Sequence, residues 1–130
     1  MSGYNILVLD DNPQRLAAFR TKLNNVNQNV TTLVSTAHGA ITKLKLYQYS
    51  IIFLDYDLDQ FGGDVKNTGT GMDVVNWIVK NKHLFAKSHF IVHSTNPAGG
   101  PLMYTTLKAA GLQVEYKPRI WEDTAFLRAL

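Results

Sequence analysis

The 130-residue chain contains no cysteine. It can therefore form neither a disulfide bond nor a zinc site with cysteine ligands. It also lacks an apolar run close to the roughly 20 residues that span a bilayer. Its first residues, MSGYN, carry neither the basic nor the apolar region of a secretory signal. We therefore expect a cytoplasmic protein without membrane contact.

A run of basic residues is missing too. The 13 lysines and arginines against 10 acidic residues give a net charge of +3. The basic residues are scattered and form no stripe of the kind that binds nucleic acid, so we do not expect direct nucleic-acid binding. A length of 130 residues with 45% hydrophobic and 18% charged residues is typical of one globular domain. We expect residues 1–130 to form that single domain.

Strand-like and helix-like segments alternate along the chain. Apolar or β-branched runs typical of strands lie at 4–9, 30–34, 50–54, 88–92 and 112–116. A helical pattern follows each of them. The first helix is predicted to start at Asn12-Pro13, an N-cap followed by proline, and the fourth at Leu102 after a turn-rich link. This alternation predicts an α/β fold, with a doubly wound parallel sheet covered by helices on both faces.

The third strand-like run points to the site. Ile51–Leu54 is apolar without alternation, as in a strand buried on both faces. Asp55 follows it directly, and Asp57 comes two residues later. Because open α/β folds bind ligands at the carboxyl ends of their strands, we place the chemical centre at Asp55.

Other strands deliver polar side chains to the same edge. The residues expected there are Asp10 and Asp11 from the first strand, Asp55 and Asp57 from the third, Ser94 and Thr95 from the fourth, and Lys117 from the fifth. Clustered carboxylates repel one another unless a cation or a proton lies between them. Oxygen ligands predict Mg²⁺ as the cofactor. A lysine and a hydroxyl facing such a site suit phosphoryl transfer, in which a carboxylate oxygen could be the nucleophile.

This combination resembles a response-regulator receiver (CheY-like) domain over essentially the whole chain. The paired acids of that family match Asp10 and Asp11, and its phosphoacceptor matches Asp55. Its conserved Ser or Thr matches Ser94, and its Lys-Pro pair matches Lys117-Pro118. The resemblance implies a five-stranded sheet in the flavodoxin-like order 2-1-3-4-5. It also implies that Ser94 and Lys117 contact the phosphoryl group and that the Lys117–Pro118 bond is cis.

The resemblance also implies the metal ligands. Asp11 and Asp55 would bind Mg²⁺ directly, Asp10 would act through water, and the backbone carbonyl of Asp57 would complete the protein ligands. The Asp57 side chain itself is either a further metal carboxylate or a solvated group. His93 should face away from Ser94, by strand alternation, as a core histidine or a support for the site. Thr95 and Asn96 are the other candidate supporting residues.

Other segments depart from ordinary receivers. The 59–71 segment is long and rich in glycine, without the Gly-Lys-Ser/Thr of a P-loop, and is either a functional lid or a flexible loop. Val114 stands where many receivers have an aromatic residue, and Tyr116 abuts the lysine. The segments 54–58, 70–77 and 93–97 resemble an atypical receiver subfamily linked to cyclic-phosphate processing.

Three functions are compatible with these residues. The first is a stand-alone receiver that takes a phosphoryl group on Asp55 from a histidine kinase or a small phosphodonor and signals through a protein partner. The second is a Mg²⁺-dependent enzyme that uses the same acids on a cyclic-phosphate substrate. The third is a degenerate receiver that acts only as a binding module.

Overall fold

The computed structural model describes residues 3–23, 28–58 and 69–130. Within them, strands and α-helices alternate. The strands are β1 Asn5–Leu9, β2 Val30–Val34, β3 Ile51–Leu54, β4 His89–Val92 and β5 Gln113–Tyr116. The helices are α1 Pro13–Leu23, α2 Ala37–Leu46, α3 Gly71–Lys80, α4 Gly99–Ala109 and α5 Thr124–Arg128. Short 3₁₀ helices at Lys82–Phe85 and Ile120–Glu122 precede β4 and α5. In these ranges no helix is both long and apolar enough to cross a membrane.

The strands form one parallel sheet in the order β2-β1-β3-β4-β5. This confirms the predicted doubly wound α/β fold and its flavodoxin-like order. The register pairs Leu9 with Leu54 and Leu54 with Val92, so β1, β3 and β4 end level with one another. The residues that follow these strands are therefore neighbours, which brings Asp10 to Asp55.

Two apolar layers cover the sheet. One face of β1 and β3 packs with α2, α3 and α4, and the other face packs with α1 and α5. As the apolar run predicts, the four side chains of β3 are at most 6% exposed. Each large side chain buried in this way contributes roughly 1.5–3 kcal/mol to stability. The strand ends are therefore anchored in a well-packed core.

Helices α1 and α3 start beside the strand ends. The side-chain oxygen of Asn12 accepts hydrogen bonds from the backbone N–H groups of Gln14 at 2.9 Å and Arg15 at 3.3 Å, which confirms the predicted N-cap of α1. At the start of α3, a Cβ on Gly71 would lie 2.0 Å from the backbone oxygen of Asp55. Only glycine allows α3 to approach β3 this closely.

Helix α4 starts earlier than the sequence predicts, at Gly99 instead of Leu102. The side-chain oxygen of Asn96 accepts hydrogen bonds from the N–H groups of Ala98 at 3.0 Å and Gly99 at 2.7 Å. The backbone oxygen of Asn96 accepts a further bond from Gly100 at 3.0 Å. These bonds draw the glycine-rich link, predicted as a turn, into the first turn of the helix.

Two predicted loops lie largely outside the described residues: positions 24–27 of the Asn-rich turn and positions 59–68 of the long loop. The end of the long loop is described. Thr70 forms a capping box with Asp73, in which the Thr70 N–H donates to the Asp73 carboxylate at 2.8 Å. The last residues of that loop therefore fix the start of α3.

Candidate functional site

Two buried carboxylates lie at the level ends of β1 and β3. Asp10 is 0% exposed and Asp55 is 2% exposed. One ligand atom from each, together with one from His93, all lie within 4.8 Å of one another. The structure thus brings together two of the four acids predicted as metal ligands, and adds a histidine that the sequence suggested only as a core or supporting residue.

His93 joins the acid cluster to the core. Its Nε2 lies 3.0 Å from Oδ2 of Asp10, and its ring is fully buried against Phe19, Phe53 and Trp121, at centroid distances of 5.1, 6.4 and 5.8 Å. Its Nδ1 has no hydrogen-bond partner in the part of the chain that the structure describes. The aromatic side chains fix the ring, and the ring in turn fixes Asp10.

Asp55 carries the strongest electrostatic perturbation at the site. Burial raises the pKa of its carboxyl from 3.8 to about 6, and the negative charge of Asp10 adds to this rise. His93, the N–H of Tyr56 and the guanidinium of Arg15 act in the opposite direction. The Tyr56 N–H donates to Oδ1 of Asp55 at 2.9 Å. Oδ2 is the oxygen that faces Arg15, at 3.7 Å from its Nη1.

Arg15 is a site residue that sequence reasoning missed. Its Nη1 also lies 3.9 Å from Oδ2 of Asp10, and its guanidinium stacks over the ring of Trp121 at 4.1 Å from the centroid. In the sequence it is one of many scattered basic residues. The available signal was its place in the first turn of a helix that starts directly after the paired acids.

Asp57 and Asn96 form a second group, apart from the cluster of Asp10, Asp55 and His93. The Asn96 side-chain amide donates to both carboxylate oxygens of Asp57, at 3.3 and 3.2 Å. Ser94 is fully buried, and its Oγ accepts a hydrogen bond from the Asn96 N–H at 3.1 Å. Asp57, predicted as a metal ligand or a solvated group, is thus held by Asn96, which also accepts hydrogen bonds from the start of α4.

Asp11 and Thr95 complete the predicted residues on this side of the site. Asp11, directly after the cluster member Asp10, is 6% exposed. Thr95 lines a cavity of about 300 Å³ next to the cluster. The other lining residues are Asn12, Gln14, Arg15, Arg119, Trp121 and Glu122.

Lys117 contacts Glu115 and Phe126 instead of the acid cluster. Its Nζ lies 3.4 Å from Oε1 of Glu115 and 5.1 Å from the ring centroid of Phe126. The Lys117–Pro118 bond is trans, since no cis peptide occurs among the described residues, so the implied cis bond is wrong for this structure. Backbone hydrogen bonds from the N–H of Lys117 to β4 at 2.8 Å, and from that of Arg119 to His93 at 3.4 Å, fix the chain on both sides of Pro118.

The cluster has the chemistry of a divalent-cation site. Two converging carboxylates offer hard oxygen ligands, which suit Mg²⁺ and Mn²⁺. Burial raises the pKa of Asp55, and the charge of Asp10 adds to that rise. A bound cation would offset the negative charge of the two carboxylates. The residues present therefore fit the predicted kind of cofactor.

Several solved structures share this fold. The phosphorylated cyanobacterial phytochrome response regulator RcpA is 14% identical, with a TM-score of 0.73, over 98% of this chain and 91% of that one. The Mn(2+)-bound form of response regulator Rcp1 is 14% identical, with a TM-score of 0.71, over 97% and 90%. The BeF3-activated DrrB receiver domain is 15% identical, with a TM-score of 0.66, over 98% and 92%. A comparison with curated proteins found no match.

The fold is that of the response-regulator receiver domains. A family model described as "Cyclic-phosphate processing Receiver domain" matches residues 5–109. The chain belongs to this family. Both the resemblance to receivers and the resemblance to their cyclic-phosphate subfamily are thereby confirmed.

Proposed function

We propose that this receiver domain accepts a phosphoryl group on Asp55 with the help of Mg²⁺ and signals through protein contacts. The observation that supports this most strongly is the environment of Asp55. It is buried beside Asp10, and its Oδ1 accepts a hydrogen bond from the Tyr56 N–H at 2.9 Å. Its Oδ2 faces the Arg15 guanidinium at 3.7 Å. One oxygen is thus held in place, and the other faces positive charge.

In the proposed reaction, Oδ2 of Asp55 attacks the phosphorus of the donor. A new O–P bond forms, and the bond from phosphorus to the donor's leaving atom breaks. The leaving group departs with that electron pair and takes up a proton. Mg²⁺, when bound, would neutralise charge on the carboxylates and the phosphoryl oxygens. The hydrogen bond from the Tyr56 N–H orients the carboxylate for the attack.

We assign the remaining predicted roles to the same reaction. Asp11 and the backbone carbonyl of Asp57 would hold the cation with Asp55, and Asp10 would act on it through water. Ser94 and Lys117 would contact the phosphoryl oxygens. To make that contact, the Lys117 ammonium must leave Glu115, 3.4 Å away. His93, Thr95 and Asn96 would support this arrangement, His93 through its 3.0 Å contact with Asp10 and Asn96 through Asp57.

The proposed partners are a histidine kinase or a small phosphodonor, and a downstream protein. Ser94 links the site to a candidate contact surface, because its backbone oxygen accepts a hydrogen bond from the Tyr116 hydroxyl at 3.4 Å. Tyr116 in turn packs against Tyr104 of α4, at a centroid distance of 6.3 Å. A shift of Ser94 would therefore reach the surface of α4 and β5.

We propose that the chain acts as one domain.

A second candidate is a cyclic-phosphate-processing enzyme. The description of the family model favours it, and so does the cavity of about 300 Å³ beside the cluster, lined by Arg15 and Thr95 among others. In that case the acids would act on a cyclic phosphate bound in the cavity, and Asp55 would keep no phosphoryl group.

One experiment separates the two candidates. The protein is incubated with Mg²⁺ and phosphoramidate and examined by intact-protein mass spectrometry, with Asp55→Asn as the control. In parallel, it is incubated with a 2′,3′-cyclic nucleotide and the products are followed by ³¹P NMR.

We expect a single phosphoryl adduct that hydroxylamine removes and that Asp55→Asn lacks. Ring opening of the cyclic nucleotide without an adduct would overturn the receiver proposal in favour of the enzyme. If neither reaction occurs, both candidates fail and the binding module is left.

A further inference from the structure

We propose that Arg15, held against Trp121, is the principal protein cation for the phosphoryl group on Asp55, ahead of Lys117. This inference rests on the proposed phosphoacceptor function. It starts from the Arg15 guanidinium, which faces Oδ2 of Asp55 at 3.7 Å and Oδ2 of Asp10 at 3.9 Å. A phosphoryl group on that oxygen of Asp55 would therefore form directly beside the guanidinium.

The donors of Arg15 are available for such a ligand. Distances of 3.7 and 3.9 Å to the two carboxylates are those of ion pairs and are too long for hydrogen bonds. The guanidinium makes no hydrogen bond to another described residue, although it carries five N–H donors. Its side chain is 24% exposed, so a ligand can reach it. Phosphoryl oxygens are acceptors that a planar guanidinium binds in pairs.

Trp121 fixes the direction in which Arg15 points. The guanidinium carbon lies 4.1 Å from the ring centroid of Trp121. Trp121 packs edge-on against His93 at 5.8 Å, and Nε2 of His93 lies 3.0 Å from the carboxylate of Asp10. The cation and the acids are thus positioned by one connected set of contacts. A group that is already oriented loses little entropy when it binds.

The neighbouring cavity leads to this cation. It has a volume of about 300 Å³, and Arg15 and Trp121 form part of its wall together with Thr95. Arg119 also lines it, but its guanidinium is already paired with Glu122, at 3.1 and 2.9 Å. Of the two arginines on this cavity, Arg15 is the one placed over the acids.

Lys117, the expected cation, starts from a less favourable position. Its ammonium is 3.4 Å from Glu115 and lies over the ring of Phe126 at 5.1 Å. Both contacts must break before it turns to Asp55, whereas Arg15 is within 4 Å of that carboxylate already. We therefore expect Arg15 to contribute more to phosphoryl binding.

The test uses beryllofluoride, a phosphoryl mimic, with saturating Mg²⁺. ¹⁹F NMR titrations give its affinity for the wild type, Arg15→Met, Arg15→Lys, Trp121→Leu and Lys117→Met, with Asp55→Asn as the blank. Thermal unfolding establishes that each variant is folded. Arg15→Lys and Trp121→Leu serve as second variants, because each disturbs the stack without changing the charge at the acid cluster.

Loss of a charge-assisted contact should weaken binding roughly tenfold or more in Arg15→Met, and less in Lys117→Met. The beryllofluoride affinities of Arg15→Lys and Trp121→Leu should lie between those of the wild type and Arg15→Met. If wild type binds but Arg15→Met loses no more affinity than Lys117→Met, the inference is overturned and the proposed function stands. If wild type itself does not bind beryllofluoride, both are overturned.

Discussion

Asp55 is costly to keep ionised. Burial and the charge of Asp10 raise the pKa of its carboxyl to about 6, so at neutral pH it is charged in a place that disfavours charge. A cation bound beside Asp55 would lower the free-energy cost of its negative charge. The same feature that suits Asp55 to chemistry therefore lowers the stability of the unliganded protein.

The substitution Asp55→Asn should stabilise the unliganded protein at pH 7.5. A raised acid pKa means that the folded state binds protons more tightly than the unfolded state, so wild-type stability falls as pH rises from about 4 to about 6. A shift from 3.8 to about 6 corresponds to about 3 kcal/mol at most. We expect about 1–2 kcal/mol, because the asparagine amide, unlike a protonated carboxyl, brings two N–H donors that need partners at this buried position.

Urea unfolding in EDTA at pH 7.5 and pH 4.5 measures this effect. The advantage of Asp55→Asn should shrink at the lower pH, where the wild-type carboxyl is protonated in the folded state. Asp57→Asn is the matched control, because its carboxylate is paired with Asn96 and should give no gain. Equal stability of Asp55→Asn and wild type at pH 7.5 would contradict the prediction.

Individual residues of the site differ in how far the sequence could predict them. The meeting of Asp10 and Asp55 follows from strand order alone, since parallel strands end at one edge. The place of Arg15 depends on which way a helical side chain points and on a tryptophan from the far end of the chain. Such contacts are set by tertiary packing, and the local sequence offers only the indirect signal that Arg15 lies in the first turn of the helix after the paired acids.

At the scale of the elements, helix starts hold the site. Gly71 lets α3 approach the backbone of Asp55, where a Cβ would lie 2.0 Å from a carbonyl oxygen and 2.8 Å from Met103. The Asn96 side chain accepts hydrogen bonds from N–H groups at the start of α4 and also donates to Asp57. The sequence predicted both helices but placed the start of α4 too late, because the acceptor for its first N–H groups is Asn96, three residues before the glycine pair at 99–100.

The substitution Gly71→Ala should destabilise the protein by about 1–3 kcal/mol, because α3 must move away from β3 to admit the methyl group. It should also slow phosphorylation, because the backbone of Asp55 is displaced. Gly111→Ala is the control, since a Cβ there meets nothing within 4 Å and only the positive φ of 84° is unfavourable. Chemical unfolding and phosphoramidate kinetics measure both. A Gly71→Ala protein with unchanged kinetics would count against the close packing described.

The substitution Asn96→Ala should cost about 1 kcal/mol, since it removes the acceptor for two N–H groups at the start of α4. Asn96→Asp keeps that acceptor but sets a second carboxylate beside Asp57. Its loss of stability should therefore shrink as salt is added, whereas that of Asn96→Ala should not. Thermal unfolding at low and high ionic strength distinguishes the two, and a salt-insensitive Asn96→Asp would contradict the pairing.

At the scale of the whole molecule, the site is built on the same central strands that form the core. The sheet is continuous, and the acid cluster is an extension of its central strands. A ligand that ties β1 to β3 should therefore stabilise the entire fold. Hydrophobic periodicity and strand–helix alternation predicted the layers of this architecture, and the resemblance to receivers implied the strand order.

Addition of Mg²⁺ and beryllofluoride should raise the unfolding temperature. At a hundredfold excess over its Kd, a ligand of the native state adds about 2.7 kcal/mol, which is an increase of several degrees for a domain of this size. Differential scanning calorimetry measures it, and EDTA should abolish it. Asp55→Asn should show little of the increase; a full increase in that variant would place the ligand elsewhere.

The stack of Arg15 on Trp121 also gives the protein an optical reporter. The chain has two tryptophans. Trp121 touches both the cation and the buried histidine of the site, while Trp77 lies in the other apolar layer, 6.0 Å from the ring of Phe85. Indole emission depends on nearby charges, so occupancy of Asp55 should change the fluorescence of Trp121. Trp77→Phe should keep that change and Trp121→Phe should lose it, so that the native chain signals its own state without a label.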